Sequence, residues 1–309
     1  MTRRCTIHRL TEMHRTDFSV LPTPAPTRIG SLDLRWGERT FVMGIVNVTP
    51  DSFSGDGLIG RTDPVAAAVA QAMRMVDEGA DLLDIGGEST RPGHAPIDAA
   101  DEIGRVIPVL AAIRAALPTI PLSIDTTKAV VAEAALAAGA DLINDIWATS
   151  PDEDMAALAA HAGVPLIVMH NRAEAHYDDV VAEVVRDLAA ALERAERAGI
   201  APADLIVDPG IGFGKTADHN VALLRDLAAL RTLGRPILLG TSRKSTIGRI
   251  LDLPAEERLE GTLATTALGI AAGADIVRVH DVRPNVRAAR VSDAIVRGQW
   301  RSQSDGGAA

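Results

Sequence analysis

Three hydrogen-bond acceptors in this chain each follow a short apolar run: Asp125, Asn144 and Asp208. If the runs are neighbouring strands, two carboxylates and an amide lie side by side and form a surface that we call the acceptor floor. Such a surface suits a planar heterocycle that carries an amino group and ring N–H groups. Each aspartate alone could equally cap the helix that follows its strand. The three together, with Lys244 after a later run, favour a ligand site.

Cations follow the last two apolar runs. Segment 242–245 reads Ser-Arg-Lys-Ser, and the final run continues through Arg278 to His280. Residues two apart on a strand point to the same side, so Arg278 and His280 are expected to face one region. Basic side chains at the ends of strands seven and eight are typical of the phosphate site of a βα barrel. A solvated surface cluster is the alternative interpretation.

The glycine-rich segment 208–216 resembles a nucleotide phosphate loop, but it lacks a required glycine, because position 209 is proline. Its glycines are better suited to let the backbone approach a flat ligand. The histidines show no His-x-His pair, which disfavours a zinc hydrolase. A magnesium ion held partly by substrate phosphates needs few protein ligands and remains compatible with the sequence.

The elements that must position these residues follow a regular pattern. Eight apolar runs alternate with eight helical stretches, which predicts repeated βα units, a parallel sheet and a closed (β/α)8 TIM barrel. The predicted strands are 42–46, 82–85, 120–124, 142–143, 166–169, 205–207, 237–239 and 276–279. The predicted helices are 64–78, 99–116, 128–138, 153–162, 178–198, 220–233, 258–272 and 282–296. The active site of such a barrel lies at the carboxyl ends of the strands, where the polar residues fall.

The chain divides into one domain and two flanking segments. We expect residues 1–28 to form a disordered N-terminal extension, 29–298 the barrel, and the Gly/Ser/Ala-containing residues 299–309 a disordered tail. A hairpin near 32–41 could close the bottom of the barrel. Loops 48–62 and 86–98 are long for βα connections, and loops above about 12 residues usually serve function as lids. The alternative is a pair of tolerated insertions.

Composition excludes several classes of partner. The formal net charge is −10 with no basic stripe, so nucleic acids and acidic membranes are not expected partners. No apolar run approaches the length of a membrane span. Cys5 is the single cysteine, which rules out a disulfide within the chain and fits a reducing, cytoplasmic setting. The basic N-terminus has no continuous apolar segment, so we interpret it as a tail and not a signal peptide.

These residues fall in seven stretches that together resemble the dihydropteroate synthase family of the folate pathway, over about residues 30–298. The stretches occur in the family's order and lie at the predicted strand ends. They are 43–54 (MGIVNVTPDSFS), 84–93 (DIGGESTRPG), 123–126 (SIDT), 143–146 (INDI), 208–215 (DPGIGFGK), 242–245 (SRKS) and 278–280 (RVH).

The resemblance implies a reaction and a set of residue roles. The substrates would be 6-hydroxymethyl-7,8-dihydropterin pyrophosphate and 4-aminobenzoate, with Mg²⁺ as cofactor, in a cytoplasmic homodimer formed through helices late in the barrel. The catalytic residues would be Asp125, Asp208, Lys244 and Arg278. The pterin would contact Asp125, Asn144, Met169, Asp208, Phe213 and Lys244. The 4-aminobenzoate would contact Phe53, Thr90, Arg91, Pro92 and Ser242. The pyrophosphate would contact Asn47, Arg278 and His280, and Asn47 would also hold the metal.

Two other functions are weighed against this one. A corrinoid-linked methyltransferase would share the barrel but would lack segments 89–93 and 242–245, and both are present. A non-catalytic pterin-binding paralogue would keep the floor and lose the loop residues. One departure points that way, because the family's first loop usually continues Ser-Asp-Gly-Gly and this chain has Gly55 before Asp56. The loop after His170 is also shorter than is common in the family.

Overall fold

Eight parallel strands form the centre of the molecule. The computed structural model describes residues 22–48, 63–88, 97–147 and 154–298. The parallel strands are β3 (Phe41–Asn47), β4 (Leu82–Gly86), β5 (Leu122–Asp125), β6 (Leu142–Asp145), β7 (Leu166–Met169), β8 (Leu205–Asp208), β9 (Leu238–Leu239) and β10 (Ile276–Val279). They lie in the order β8-β7-β6-β5-β4-β3-β10-β9, and a parallel bridge between Val207 and Ile237 joins the two edges. The sheet is thus closed, which confirms the predicted barrel.

Helices cover the outside of the barrel. They are α1 (Pro64–Asp77), α2 (Ala99–Ala116), α3 (Ala129–Ala137), α4 (Asp154–Ala162), α5 (Val180–Arg197), α6 (Ala217–Arg225), α7 (Ser245–Leu251), α8 (Leu259–Ala271) and α9 (Val282–Val296). The predicted helix at 220–233 is wrong at both ends, because α6 starts earlier and gives way to a 3₁₀ helix at Leu227–Leu233. The short α7 was not predicted. It is about two turns long, too short to show a helical apolar period. No described helix is long and apolar enough to cross a membrane.

A small hairpin precedes the barrel. Strands β1 (Thr27–Ile29) and β2 (Leu32–Leu34) pair antiparallel around Gly30, whose φ of +56° favours glycine. The predicted hairpin at 32–41 is therefore wrong in position, since Phe41 already pairs with Ile276 in the barrel. Ordered structure also begins inside the predicted extension, because β1 starts at Thr27. Residues 1–21 and 299–309, predicted to be disordered, lie outside the described residues.

The hairpin fills the amino end of the barrel. Ile29, Leu34 and Trp36 pack on residues at the starts of the strands, and the Trp36 ring meets Phe41 edge-on with centroids 5.6 Å apart. The inner layer consists of Phe41, Met43, Leu82, Leu142, Ile167, Ile206, Leu238 and Ile276. A second, larger cluster lies between the strands and the helices. With this end closed by apolar side chains, the opposite end is the place for a polar site.

Candidate active site

Strand alternation places the predicted floor inside the mouth of the barrel. On β8, Leu205 and Val207 belong to the helix-facing core, whereas Ile206 belongs to the inner layer. Side chains two apart share a face, so Asp208 also points inward, one layer above Ile206. The same alternation turns further polar or thioether side chains inward at the carboxyl ends of the other strands. They are Asn47, Asp84, Asp125, Asn144, Met169 and Arg278.

Arg278 lies at the centre of the site and bridges two carboxylates. Its Nε donates to Oδ2 of Asp84 at 2.6 Å, and its Nη2 donates to Oδ2 of Asp125 at 2.6 Å. Because β3 separates β10 from β4, the guanidinium spans the barrel interior to make these contacts. Arg278 was predicted as a pyrophosphate ligand. In the structure, two of its three guanidinium nitrogens, Nε and Nη2, already donate to carboxylates. Nη1 forms no hydrogen bond to any of the described residues.

Asp84 is a site residue to which the sequence analysis gave no role. It is fully buried, and its Oδ2 also accepts a hydrogen bond from Nδ2 of Asn144 at 3.0 Å. An ionised carboxylate can only accept, so the amide nitrogen of Asn144 must face Asp84 and its oxygen remains an acceptor. Oδ1 of Asp84 accepts nothing from the described residues and is one more buried acceptor. A signal was present in the sequence: a charged residue inside the apolar run 82–85.

Burial raises the pKa values of the floor carboxyls. Asp125 is raised to about 7, because burial outweighs the opposing effect of Arg278 and the neighbouring Asp84 adds repulsion. Burial also raises the pKa of Asp208, and the Lys244 ammonium opposes that rise. The pKa of Lys244 is lowered to about 8 by burial, against the attraction of Asp208. Asp125 and Lys244 can therefore exchange protons near neutral pH, which is typical of a functional site.

Lys244 reaches the floor from the start of α7 and touches the glycine-rich loop. Its Nζ lies 4.1 Å from the ring centroid of Phe213 and donates to the carbonyl of Ile211. The other cation of the predicted cluster, Arg243, turns away and forms a two-point ion pair with Asp281, with Nη2–Oδ1 at 2.6 Å. Of the two neighbouring cations, only Lys244 therefore lies at the floor.

Ser242 and His280 hold each other at the ends of β9 and β10. The backbone N–H of His280 donates to Oγ of Ser242 at 3.1 Å, and Oγ lies 3.0 Å from Nδ1 of the same histidine. Since Oγ already accepts from the backbone, its hydroxyl proton is free to bond Nδ1. The predicted 4-aminobenzoate ligand Ser242 and the predicted pyrophosphate ligand His280 are therefore in direct contact.

Both long loops fall largely outside the described residues. Four of the predicted 4-aminobenzoate contacts lie there, as does Asp56: Phe53, Thr90, Arg91 and Pro92. The base of the second loop is described, and it carries a contact that the sequence analysis missed. Lys128 binds Glu88 at 2.5 Å and the buried Glu102 at 2.7 Å. This ion-pair triad ties Glu88, near the start of the loop, to the first turn of α2 and to Lys128 just before α3.

A magnesium ion would need ligands from the substrate. The described residues contain no group of three His, Cys, Asp or Glu side chains arranged to hold a metal. Asn47, half-buried at the end of β3, offers one neutral oxygen at the mouth. A single amide oxygen with phosphate oxygens is a donor set that Mg²⁺ accepts. The residues present thus fit a metal delivered with a phosphorylated ligand.

The barrel and its buried site define the class of protein. A family model described as pterin binding enzyme matches residues 43–280, which run from β3 to just beyond β10. This match indicates a pterin-binding barrel enzyme, and a pterin is an amino-substituted heterocycle of the kind that the acceptor floor was predicted to suit.

Individual proteins similar to this chain narrow the class to one family. A dihydropteroate synthase from Clostridium beijerinckii is 51% identical over 271 residues, covering 87% of this chain and 99% of its own. A Xanthomonas albilineans dihydropteroate synthase solved with 4-aminobenzoic acid is 46% identical with a TM-score of 0.83, covering 88% of this chain and 98% of its own. A Yersinia pestis dihydropteroate synthase in a sulfonamide drug complex is 39% identical with a TM-score of 0.81, covering 88% of this chain and 99% of its own. The chain belongs to the dihydropteroate synthase family of folate-pathway transferases, and its activity is the synthesis of dihydropteroate.

Proposed function

We propose that the acceptor floor binds the pterin ring of 6-hydroxymethyl-7,8-dihydropterin pyrophosphate during this synthesis. The amino group and ring N–H groups would donate to Asp208 and to the oxygens of Asp125 and Asn144. Oδ1 of Asp208 already accepts from Gly210 N–H at 2.7 Å, so Oδ2 is the oxygen available to the ring. Phe213, with the Lys244 ammonium against its ring, and Met169 would bound the pterin on its flat sides.

The charges of the site match the charges of the reaction. The bond between the pterin methylene carbon and the pyrophosphate oxygen breaks, and the amine of 4-aminobenzoate forms the new C–N bond and loses a proton. Positive charge develops on the pterin as pyrophosphate leaves, and the buried carboxylates of Asp125 and Asp208 would stabilise it. The amine is a weak base, so it needs positioning more than deprotonation. Ser242, with the loop residues Phe53, Thr90, Arg91 and Pro92, would position the amine.

The leaving group would be held at the ends of β3 and β10. Nη1 of Arg278 and the His280 ring would bind pyrophosphate, with Asn47 contributing to a magnesium ion that it carries. When bound, Mg²⁺ neutralises charge on the departing phosphates. The observation that supports this arrangement best is the Asp84–Arg278–Asp125 bridge, because Arg278 joins Asp125, which would face the developing positive charge, to the site of the departing anion.

Pyrophosphate release tests this proposal. With the pterin pyrophosphate, Mg²⁺ and 4-aminobenzoate, we expect release in a coupled assay and formation of dihydropteroate. Without 4-aminobenzoate, release should stop. Pterin binding without turnover would instead identify the non-catalytic paralogue. Release without 4-aminobenzoate would indicate a hydrolase, and magnesium independence would remove the metal from the proposal.

We also propose that the enzyme is a homodimer that works in the cytoplasm. Helices α8 and α9 pack together, yet Leu268, Val291 and Ile295 on them are 69%, 61% and 79% exposed. Exposed apolar side chains on two packed helices favour burial against a second copy of the chain. Light scattering should give twice the mass of the 32.4 kDa chain, and Ile295→Glu should reduce it to one chain. Localisation would be tested by cell fractionation.

A further inference from the structure

A buried lysine on the far side of the glycine-rich loop takes no part in the site described above. Lys215 follows Gly214, and its Nζ has four acceptors within hydrogen-bond distance. They are Nδ1 of His170 at 2.9 Å and the carbonyl oxygens of Phe213 at 3.0 Å, Gly210 at 3.1 Å and His170 at 3.3 Å. An ammonium has three N–H donors, so all of them are used within the protein. Lys215 therefore has no donor left for a substrate.

The partner of Lys215 is held in one protonation state. Burial lowers the pKa of His170 to about 4, so its ring is neutral at neutral pH. Because an ammonium can only donate, Nδ1 of His170 must be the acceptor and Nε2 must carry the proton. Nε2 lies 3.2 Å from Oδ2 of Asp187 on α5, which can accept that proton. We call Lys215, His170 and Asp187 the lysine clip.

The clip closes the turn that carries the ligand-facing groups. The N–H of Phe213 bonds to the carbonyl of Gly210, and Lys215 binds the carbonyls of both residues from behind. At Gly210, φ is +66°, and a Cβ would overlap the carbonyl oxygen of His170. The turn is therefore pressed against the end of β7. On its other side, Lys244 binds Ile211 in the middle of the same turn.

We propose that Lys215 is a positioning residue for the pterin: its ammonium, oriented by His170 and Asp187, fixes the Gly210–Phe213 turn and through it Asp208, Phe213 and Lys244. This inference rests on the proposed assignment of the pterin pocket. The contacts support it, since an ammonium away from water bonds carbonyl oxygens strongly. Burial lowers the pKa of Lys215 to about 7, so the ammonium form that makes these contacts prevails below neutral pH.

The test compares variants in binding and in kinetics. Lys215→Met removes the ammonium and keeps the length of the side chain. We expect its Kd for 6-hydroxymethylpterin, by calorimetry, and its KM for the pterin pyrophosphate to rise about tenfold, as for one lost charge-assisted hydrogen bond. The KM for 4-aminobenzoate should change less than about twofold, which is no more than the loss of one weak contact would cause. Lys215→Arg keeps a permanent cation and should restore most of the affinity.

A matched control exists at the opposite end of the barrel. Arg114 also clips backbone carbonyls, those of Gly139, Pro118 and Ile120, and binds Asp141. Arg114→Met should reduce the unfolding midpoint in urea as Lys215→Met does, but leave both KM values unchanged. If Lys215→Met does not fold, Asp187→Asn at the outer end of the clip should raise the pterin KM in the same direction by about two- to threefold. Asp187 also pairs with Arg172 and Arg186, so Arg186→Met, which removes only the outer of these pairs, is its control and should leave the pterin KM unchanged.

Three results would overturn the inference. Unchanged pterin affinity in Lys215→Met or Asp187→Asn, with a clear loss in Asp208→Asn, would show that the clip is structural only. Unchanged affinity in Asp208→Asn as well would reject the pterin pocket itself, and the inference with it. Failure of Lys215→Arg to restore affinity would also count against positioning by the cation.

Discussion

Replacing Asp84 with asparagine should change the pH dependence of the enzyme. The carboxylate is fully buried and holds both Arg278 and Asn144 through one oxygen. An amide oxygen in the place of Oδ2 can still accept both hydrogen bonds, but the substitution removes one of the two negative charges around the guanidinium. Removing one partner of a buried ion pair costs 3–5 kcal/mol, and the retained Asp125 reduces this, so we expect a loss of about 2–3 kcal/mol in stability.

The effect on Asp125 has a definite sign. Asp84 is one of the charges that raise the pKa of Asp125 to about 7, so its neutralisation should lower that pKa. If Asp125 must be ionised for turnover, kcat/KM of the unmodified enzyme falls as the pH drops through about 7. In Asp84→Asn, the same decline should occur at lower pH. At pH 6 the variant would then keep a larger fraction of its own maximal rate.

The assay is kcat/KM for the pterin pyrophosphate from pH 5.5 to 9, with urea unfolding in parallel. Asp293→Asn is the control, because Asp293 is also buried and accepts from Thr40 and Arg297, at the opposite end of the barrel. The control should lose stability with no shift in the pH profile. An unshifted profile in Asp84→Asn would refute the electrostatic coupling between Asp84 and Asp125.

Three further substitutions test the site and the loop. Asp208→Asn should weaken pterin binding by about 2–3 kcal/mol in calorimetry, because a buried charged acceptor becomes an amide that also presents donors; normal affinity would remove Asp208 from the floor. Arg278→Ala should weaken binding of pyrophosphate and of the pterin pyrophosphate far more than binding of free 6-hydroxymethylpterin, whereas equal losses would mean a structural role. Gly210→Ala should destabilise the fold well beyond the 1–2 kcal/mol of left-handed strain, because its Cβ meets a backbone carbonyl. Gly163→Ala, with a φ of +65° and open space around it, should cost only that strain in urea unfolding, and similar losses in both would contradict the clash.

The sequence predicted the barrel and the inward direction of its floor for a local reason. Apolar runs of strand length and helical stretches are properties of neighbouring residues, and the two-residue period of a strand fixes which side chains share a face. Asp125, Asn144 and Asp208 end their runs, so their common side at the mouth followed from position alone. Elements without a strong local period were missed or misplaced, namely α7, the 3₁₀ helix at Leu227–Leu233 and the hairpin at β1 and β2.

Only the tertiary structure decided which charge meets which. Asp84 and Arg278 are 194 residues apart in the chain and come together because closure of the barrel brings β4 and β10 to either side of β3. Lys244 and Arg243 are adjacent, yet one reaches the floor and the other pairs with Asp281. Lys215 finds His170 only because the loop after β8 folds back on the end of β7. The amino-acid sequence determined by itself the kinds of residue at each strand end, since alternation and composition are local. Their pairing, burial and pKa values depend on contacts between distant strands, which only the closed barrel creates.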